Sequence, residues 1–297
     1  MIKDINLQDK RVLLRVDYNV PIQDGQVMDD YRIKKSLPTI RYCIEQGASI
    51  TIMSHLGRPN GYDEEYSLRP ISDKLSEILS KEIIFSEDCV SDKSFVASSS
   101  LERGQIHMLE NLRFHKGELD NCPDFSKLLS FHGEVYINDA FGTAHRSHAS
   151  NIGITNFFHE KGMGFLMEKE LQYLKYEVQN PLQPFVVVMG GAKVKGKIEL
   201  IENFLNISDH LLIGGALSFP FLKVKGIDIS SPLLNDEDIA CADRLLSIAQ
   251  KENKEIIFPT DFVTASSLDD LDSIDIKMNN DISPDCGCFD IGPETTM

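Results

Sequence analysis

Short apolar, β-branched runs alternate with stretches of helical periodicity along the whole chain. That alternation is the pattern of parallel strands covered by helices. Residues 11–16 read as the first strand, with Asp24-Gly25 as a turn soon after it. Residues 32–46 follow helical spacing up to Gly47, and 49–53 form the next strand. Ser67 is placed to cap a helix over 68–80, with Pro70 tolerated in its first turn. Further strands are expected near 82–85, 105–109 and 134–138, with helices between them. Residues 162–179 predict one long helix closed by Asn180-Pro181. Its Met167, Leu171, Leu174 and Val178 form a single apolar stripe, which suits a helix connecting two domains better than a buried core helix. The alternation then restarts: strand 185–189, helix 197–205, strand 211–213, helices 216–224 and 236–250, and strands near 255–258 and 289–291.

The fold class expected is α/β, with two Rossmann-like lobes of parallel sheet covered by helices. An N-terminal lobe spans 1–161, an interdomain helix and hinge 162–180, and a C-terminal lobe 181–297. No closing helix is expected after the last strand, so the second sheet reads as unfinished and its lobe as truncated.

Composition narrows the function classes. A chain of 297 residues can bury two cores. Its longest purely apolar stretches, such as 185–189, are strand-sized and far short of a membrane span. Residues 1–10 carry no apolar signal core, so a cytoplasmic protein is expected, with no membrane partner. Six scattered cysteines fit free thiols, and Cys286-Gly-Cys288 has no second pair with which to hold a metal. A net charge of −16 argues against a nucleic-acid partner. Yet nine of the ten arginines (11, 15, 32, 41, 58, 69, 103, 113 and 146) precede residue 150. Drift in arginine and lysine usage would explain that. So would a first half that recognises an anion with planar guanidinium groups.

The neighbourhoods of those arginines favour the anion. Four clusters follow predicted strands, at the sheet edge where open α/β folds bind ligands. In Arg15-Val-Asp17-Tyr18-Asn19, a carboxylate and an amide stand just past the first strand, although alone such residues are more often turn residues than ligands. In Ser54-His55-Leu56-Gly57-Arg58-Pro59, Gly57 permits close backbone approach while His55 and Arg58 can donate to an anion. Glu110-Asn-Leu-Arg113-Phe-His115 and the segment from Asn138 through Arg146 to His148 complete the set. Converging arginines are unfavourable unless an anion neutralises them. In the second half, Gly190-Gly191-Ala-Lys193-Val-Lys195-Gly196-Lys197 joins a strand to a helix and has the makings of an anion nest. It matches the nucleotide P-loop spacing, but Ile198 stands where a Ser or Thr should ligate Mg²⁺. Gly214-Gly215 offers a second close approach, or a helix-packing pair. No motif of hydrolase chemistry appears, and a reaction run by basic groups and helix N-termini is phosphoryl transfer.

Together, R-V-D-Y-N-V-P, S-H-L-G-R-P, E-N-L-R-F-H, N-D-A-F-G-T-A-H-R-S-H-A-S, G-F-L-M-E-K-E-L and G-G-A-K-V resemble the phosphoglycerate kinase family, in its order, from about residue 5 to Pro293. The resemblance implies reversible transfer of a phosphoryl group between ATP and the 1-carboxylate of 3-phosphoglycerate, giving ADP and 1,3-bisphosphoglycerate, with Mg²⁺ carried by the nucleotide. It implies substrate contacts at Asp17, Tyr18, Asn19, Arg32, His55, Leu56, Gly57, Arg58, Arg113 and Arg146. It further implies catalytic roles for Arg32, Lys193 and Lys197, nucleotide contacts at Lys197, Gly214 and Gly215, no metal ligand within this chain, hinge closure and a monomer. Gly196 departs from the family's usual aspartate, and the family's later W-N-G-P and G-G-G-D segments do not occur. Two readings follow for the short chain: part of an ordinary kinase, or a non-catalytic 3-phosphoglycerate-binding or scaffold protein.

Overall fold

The computed structural model describes residues 1–191, 194–227, 229, 234–267, 269–282 and 287–297, with the side chains of residues 176, 177 and 195 left aside. Two compact units divide the chain, Met1–Val178 and Gln179–Met297.

In the first unit six parallel strands run in the order Ile83–Ser86, Ile106–Leu109, Ser49–Met53, Arg11–Arg15, Val135–Asn138 and Glu160–Met163. The central Ser49–Met53 is buried along its whole length, as a strand covered on both faces must be. Register sets the functional edge: Arg15 pairs with both Met53 and Asn138, and Ile52 with Met108. The loops after these four strands therefore leave the sheet at one level.

Helix Tyr31–Glu45 buries Ile33, Leu37 and Ile40 against the sheet. Helix Arg69–Leu79 begins one residue later than expected, with Leu68 and not Ser67 at its N-cap position, and neighbouring side chains hold that end. Ser67 Oγ accepts from the Arg69 N–H at 3.2 Å, while the buried Glu110 carboxylate accepts from the Leu68 N–H and the Ser67 hydroxyl, each at 2.7 Å.

The long helix expected over 162–179 is corrected at its start. Glu160–Met163 is the edge strand of the sheet, and the helix runs over Phe165–Leu171 before continuing as π-helix over Gln172–Glu177. Asp139 decides the boundary: its Oδ1 accepts from the Met167 N–H at 3.1 Å, anchoring the helix start from another loop. A Cβ on Gly164 would lie 2.4 Å from that carboxyl group, so only glycine admits it. No residue of Phe165–Leu171 is buried.

The second unit holds a parallel sheet in the order Ile256–Ile257, His210–Ile213, Val186–Met189, packed against helices Ile198–Ile207 and Asp236–Lys251. A second, antiparallel sheet was not expected. There Asp261–Ala265 lies between Asp275–Met278 and the expected final strand, Gly287–Ile291. A short helical turn, Pro293–Thr296, follows where none was anticipated. The buried Asp261 holds it by accepting from the Glu294 and Thr295 N–H groups at 2.9 and 2.8 Å. No described helix is long and apolar enough to cross a membrane.

Candidate functional site

The loops that leave the first sheet together are joined by side chains of their own residues. Asn111 is the central staple. Its Oδ1 accepts from the Leu56 and Arg113 N–H groups at 3.2 and 3.0 Å, and its Nδ2 donates to the Leu56 and Tyr66 carbonyls at 2.8 and 2.9 Å. Ser54 ties the first two loops, its Oγ accepting from the Tyr18 N–H at 2.9 Å. Asn19 Oδ1 accepts from the Gly57 N–H at 2.9 Å. Gly57 has a φ of +60°, and a Cβ there would lie 2.2 Å from the Tyr66 ring. Only glycine fits this turn.

Within this frame the structure gathers Arg113, Arg146, Arg58 and His55. Arg113 is buried and donates from Nη1 to the Gly57 carbonyl. Its Nε–H and that of Arg146 are buried without a protein partner. Burial and the charges of Arg146, Arg15 and Arg58 all pull the Arg113 pKa below its ordinary value. Buried donors are nearly always satisfied, so two on adjacent guanidinium groups mark a position shaped for an anion. His55 is buried against the same arginines; desolvation first, then the charges of Arg15, Arg113 and Arg146, push its pKa down to about 2. It is a neutral imidazole, not a cation.

Arg32 stands on the flank. Its Nη1 contacts Asp17 Oδ2 at 2.6 Å, and both residues line a cleft of ≈ 620 Å³ with Lys35, Asp139, Lys169 and Tyr173. Asp17 Oδ1 also accepts from the Asn19 N–H at 3.2 Å.

Two of the residues expected at the substrate, Tyr18 and Leu56, have their side chains in the core. Tyr18 is fully buried in the hydrophobic core, its hydroxyl 2.7 Å from Ser36 Oγ. Leu56 also packs into that core, and Asn111 occupies both of its backbone polar groups. An aromatic and a leucine at the base of a ligand loop gain more from burial than from contact with a charged ligand. Four polar residues were given no role by sequence reading: Arg15, Asn111, Glu118 and Ser150. Arg15 carried a usable signal, since an arginine inside the apolar run Val12–Val16 requires a buried partner.

The second unit forms a separate cluster. Gly191, at φ +152°, lies under Lys197, whose Nζ would be 2.8 Å from a Cβ placed there. Gly214 N–H donates to the Met189 carbonyl at 2.8 Å, and the Gly191 carbonyl would lie 4.0 Å from a Cβ on Gly215. Both glycine pairs therefore border one surface at the ends of strands Val186–Met189 and His210–Ile213. Lys193 lies outside the described residues. Among the described residues, no group of three or more His, Cys, Asp or Glu side chains could hold a metal ion.

Comparison with known proteins gives a consistent result. The family described as phosphoglycerate kinase matches residues 2–297. The phosphoglycerate kinase of Chloroherpeton thalassium is 44% identical over 295 residues, covering 99% of this chain and 74% of that protein. That of Thermosipho africanus is 44% identical over 298 residues, covering 99% of this chain and 73% of its own. Among solved structures, phosphoglycerate kinase from Coxiella burnetii superposes with a TM-score of 0.82 at 34% identity, covering 99% of this chain and 75% of that one.

Proposed function

This chain belongs to the phosphoglycerate kinase family, and from that premise we propose how its residues serve reversible phosphoryl transfer between ATP/ADP and 3-phosphoglycerate/1,3-bisphosphoglycerate. The enzyme class is phosphotransferase with a carboxyl group as acceptor. 3-Phosphoglycerate binds the first unit, its anionic groups taken by Arg113, Arg146, Arg58 and His55, with Asn19 and Gly57 shaping the loop beside them. The observation that carries this assignment is the pair of buried, unpartnered Nε–H donors on Arg113 and Arg146.

Arg32, held by Asp17, stabilises the charge of the phosphoryl group in transit. The acceptor carboxylate is already ionised near neutral pH, so the chemistry asks for positioning and charge stabilisation and no general base. On the second unit, Lys197 faces the nucleotide phosphates beside Gly191, with Lys193 as its partner. Gly214 and Gly215 lie against the nucleoside. Mg²⁺ arrives with ATP or ADP as part of the substrate. Closure about residues 162–180 brings the two ligands into line and excludes water. The protein works in the cytoplasm as a monomer.

Calorimetric titration of the chain with 3-phosphoglycerate, beside its Arg113→Ala variant, tests the substrate assignment. The expected result is saturable binding that the variant weakens about 30-fold or more, the loss of roughly 2 kcal/mol set by charge-assisted hydrogen bonds. Absence of binding by the folded chain, or equal binding by the variant, would overturn it.

A further inference from the structure

Arg15 is wholly buried at the end of its strand, behind the residues assigned to the substrate. All three guanidinium nitrogens are used. Nε donates to Ser150 Oγ at 3.0 Å, Nη1 to the Val16 carbonyl, and Nη2 lies 3.1 Å from His55 Nδ1. Behind Ser150 stands Glu118, also wholly buried, accepting from the Ser150 hydroxyl at 2.6 Å and from its N–H at 2.9 Å. The Arg15 charge is thereby answered by a carboxylate through one bridging hydroxyl, and burial is offset without exposing either ion.

The consequence for His55 follows from the chemistry of the guanidinium. Arginine offers only N–H donors, and it does not deprotonate in proteins. His55 Nδ1 must then be the acceptor of the bond, which leaves the ring proton on Nε2. The opposite tautomer, or an imidazolium, would set N–H against N–H.

We propose that Arg15 is a positioning residue that locks His55 as the neutral Nε2–H tautomer, so that the substrate anion meets a donor whose protonation does not change across the physiological pH range. The proposal deepens the assignment of His55 to 3-phosphoglycerate and rests on it for its functional meaning. The charged and titratable groups facing His55 are Arg15, Arg113, Arg146 and His148, and with burial each opposes a second proton on the ring. A neutral donor also spares the site another buried positive charge beside Arg113 and Arg146. The device keeps this one contact unchanged with pH, at a residue type that ordinarily titrates near neutrality.

Long-range ¹H–¹⁵N NMR correlation of the histidine rings, without substrate, reads the tautomer directly. The His55 signals are assigned by their loss in His55→Gln. In the parent chain the expected pattern is an unprotonated Nδ1 and a protonated Nε2, unchanged between about pH 5 and 8. Arg15→Met removes the donor, and His55 should then mix its two neutral tautomers, while burial, Arg113 and Arg146 still oppose a second proton. Arg15→Lys supplies an ammonium with donors only, and should restore the parent pattern if it reaches Nδ1. A titrating His55 or an Nδ1–H tautomer in the parent overturns the proposal, as does an Arg15→Met ring identical to the parent. If Arg15→Met fails to fold, the parent chain decides by itself, since a titrating ring or an Nδ1–H tautomer there overturns the proposal. Because no ligand is present, a failed tautomer test leaves the substrate assignment standing, and failed calorimetry leaves the tautomer result standing.

Discussion

Asn19 Oδ1 accepts a hydrogen bond of 2.9 Å from the Gly57 N–H, joining loops 38 residues apart and fixing which end of the Asn19 amide is left for a ligand. The carbonyl end is spent on the neighbouring loop, so the NH₂ end is the one that remains. Asn19→Asp keeps an acceptor for Gly57 but replaces the remaining donor by a carboxylate oxygen. It should fold like the parent and bind 3-phosphoglycerate at least about 10-fold more weakly, as expected for one lost hydrogen bond and an added like charge. Melting curves and calorimetry run together check both halves. Binding equal to that of the parent would show that Asn19 serves the loop alone.

Gly57→Ala should disturb the same loop by two separable effects. The φ of +60° is unfavourable for any residue with a Cβ, and that Cβ would sit 2.2 Å from the Tyr66 ring. Destabilisation of at least about 1–2 kcal/mol is expected from the backbone alone, with the clash added to it. Tyr66→Ala in the same chain should recover the clash and leave the backbone part. Urea unfolding of Gly57→Ala, Tyr66→Ala and the double variant checks this, and a double variant no better than Gly57→Ala would show that the ring already moves aside.

Acid should weaken the first unit through His107 and His132. Both are wholly buried, with rings 6.2 Å apart; desolvation lowers His107 from 6.5 to about 3 and His132 from 6.5 to about 4. The unfolded chain takes up protons below pH 6.5 that the folded chain refuses until those lower values. Stability is therefore full above pH 6.5 and falls as pH drops through the window beneath it. The slope is about 1.4 kcal/mol per pH unit for each histidine while only the unfolded form is protonated. His107→Gln retains a partner for Ser86, which lies 2.8 Å from His107 Nε2, and cannot titrate. Its urea midpoint should fall less steeply from pH 6.5 to about 5. Parallel slopes for parent and variant would exclude His107 as a source.

Gly196→Asp restores the residue that the family resemblance expects. A Cβ there meets nothing within 4 Å, and the backbone does not need the left-handed region. The position precedes helix Ile198–Ile207, where an acidic side chain interacts favourably with the helix dipole. The variant should be more stable by about 0.5–1 kcal/mol, from the removed glycine flexibility and the dipole together. A lowered melting temperature would mean that this loop requires glycine.

Much of the first sheet was legible because its strands carry their own signal. Continuous β-branched runs bounded by Gly, Pro and Asx residues read as buried parallel strands, and the observed strands fall within a residue or two of those runs. The antiparallel sheet of the second unit was not legible. Its strand Asp275–Met278 is largely exposed and has no apolar run, so only pairing with Asp261–Ala265 makes it a strand. The edge strand Glu160–Met163 was hidden in the same way, inside a segment whose later residues are helical.

By itself the sequence determined which residue types stand at the ends of the strands: the arginines, His55, Asn19 and the glycines, each placed by a local pattern of apolar run followed by turn. Local pattern cannot determine which of them face one another. Strand register decided that, by bringing Arg15 level with Met53 and Asn138, and Met108 level with Ile52, at one edge. Packing then decided that Tyr18 and Leu56 belong to the core, that Asp139 starts a helix it does not belong to, and that Arg15 faces the Nδ1 of His55. The physical reason is range. Turn and strand preferences act over a few residues, whereas a buried charge or polar atom takes its partner from whatever chain the fold sets beside it.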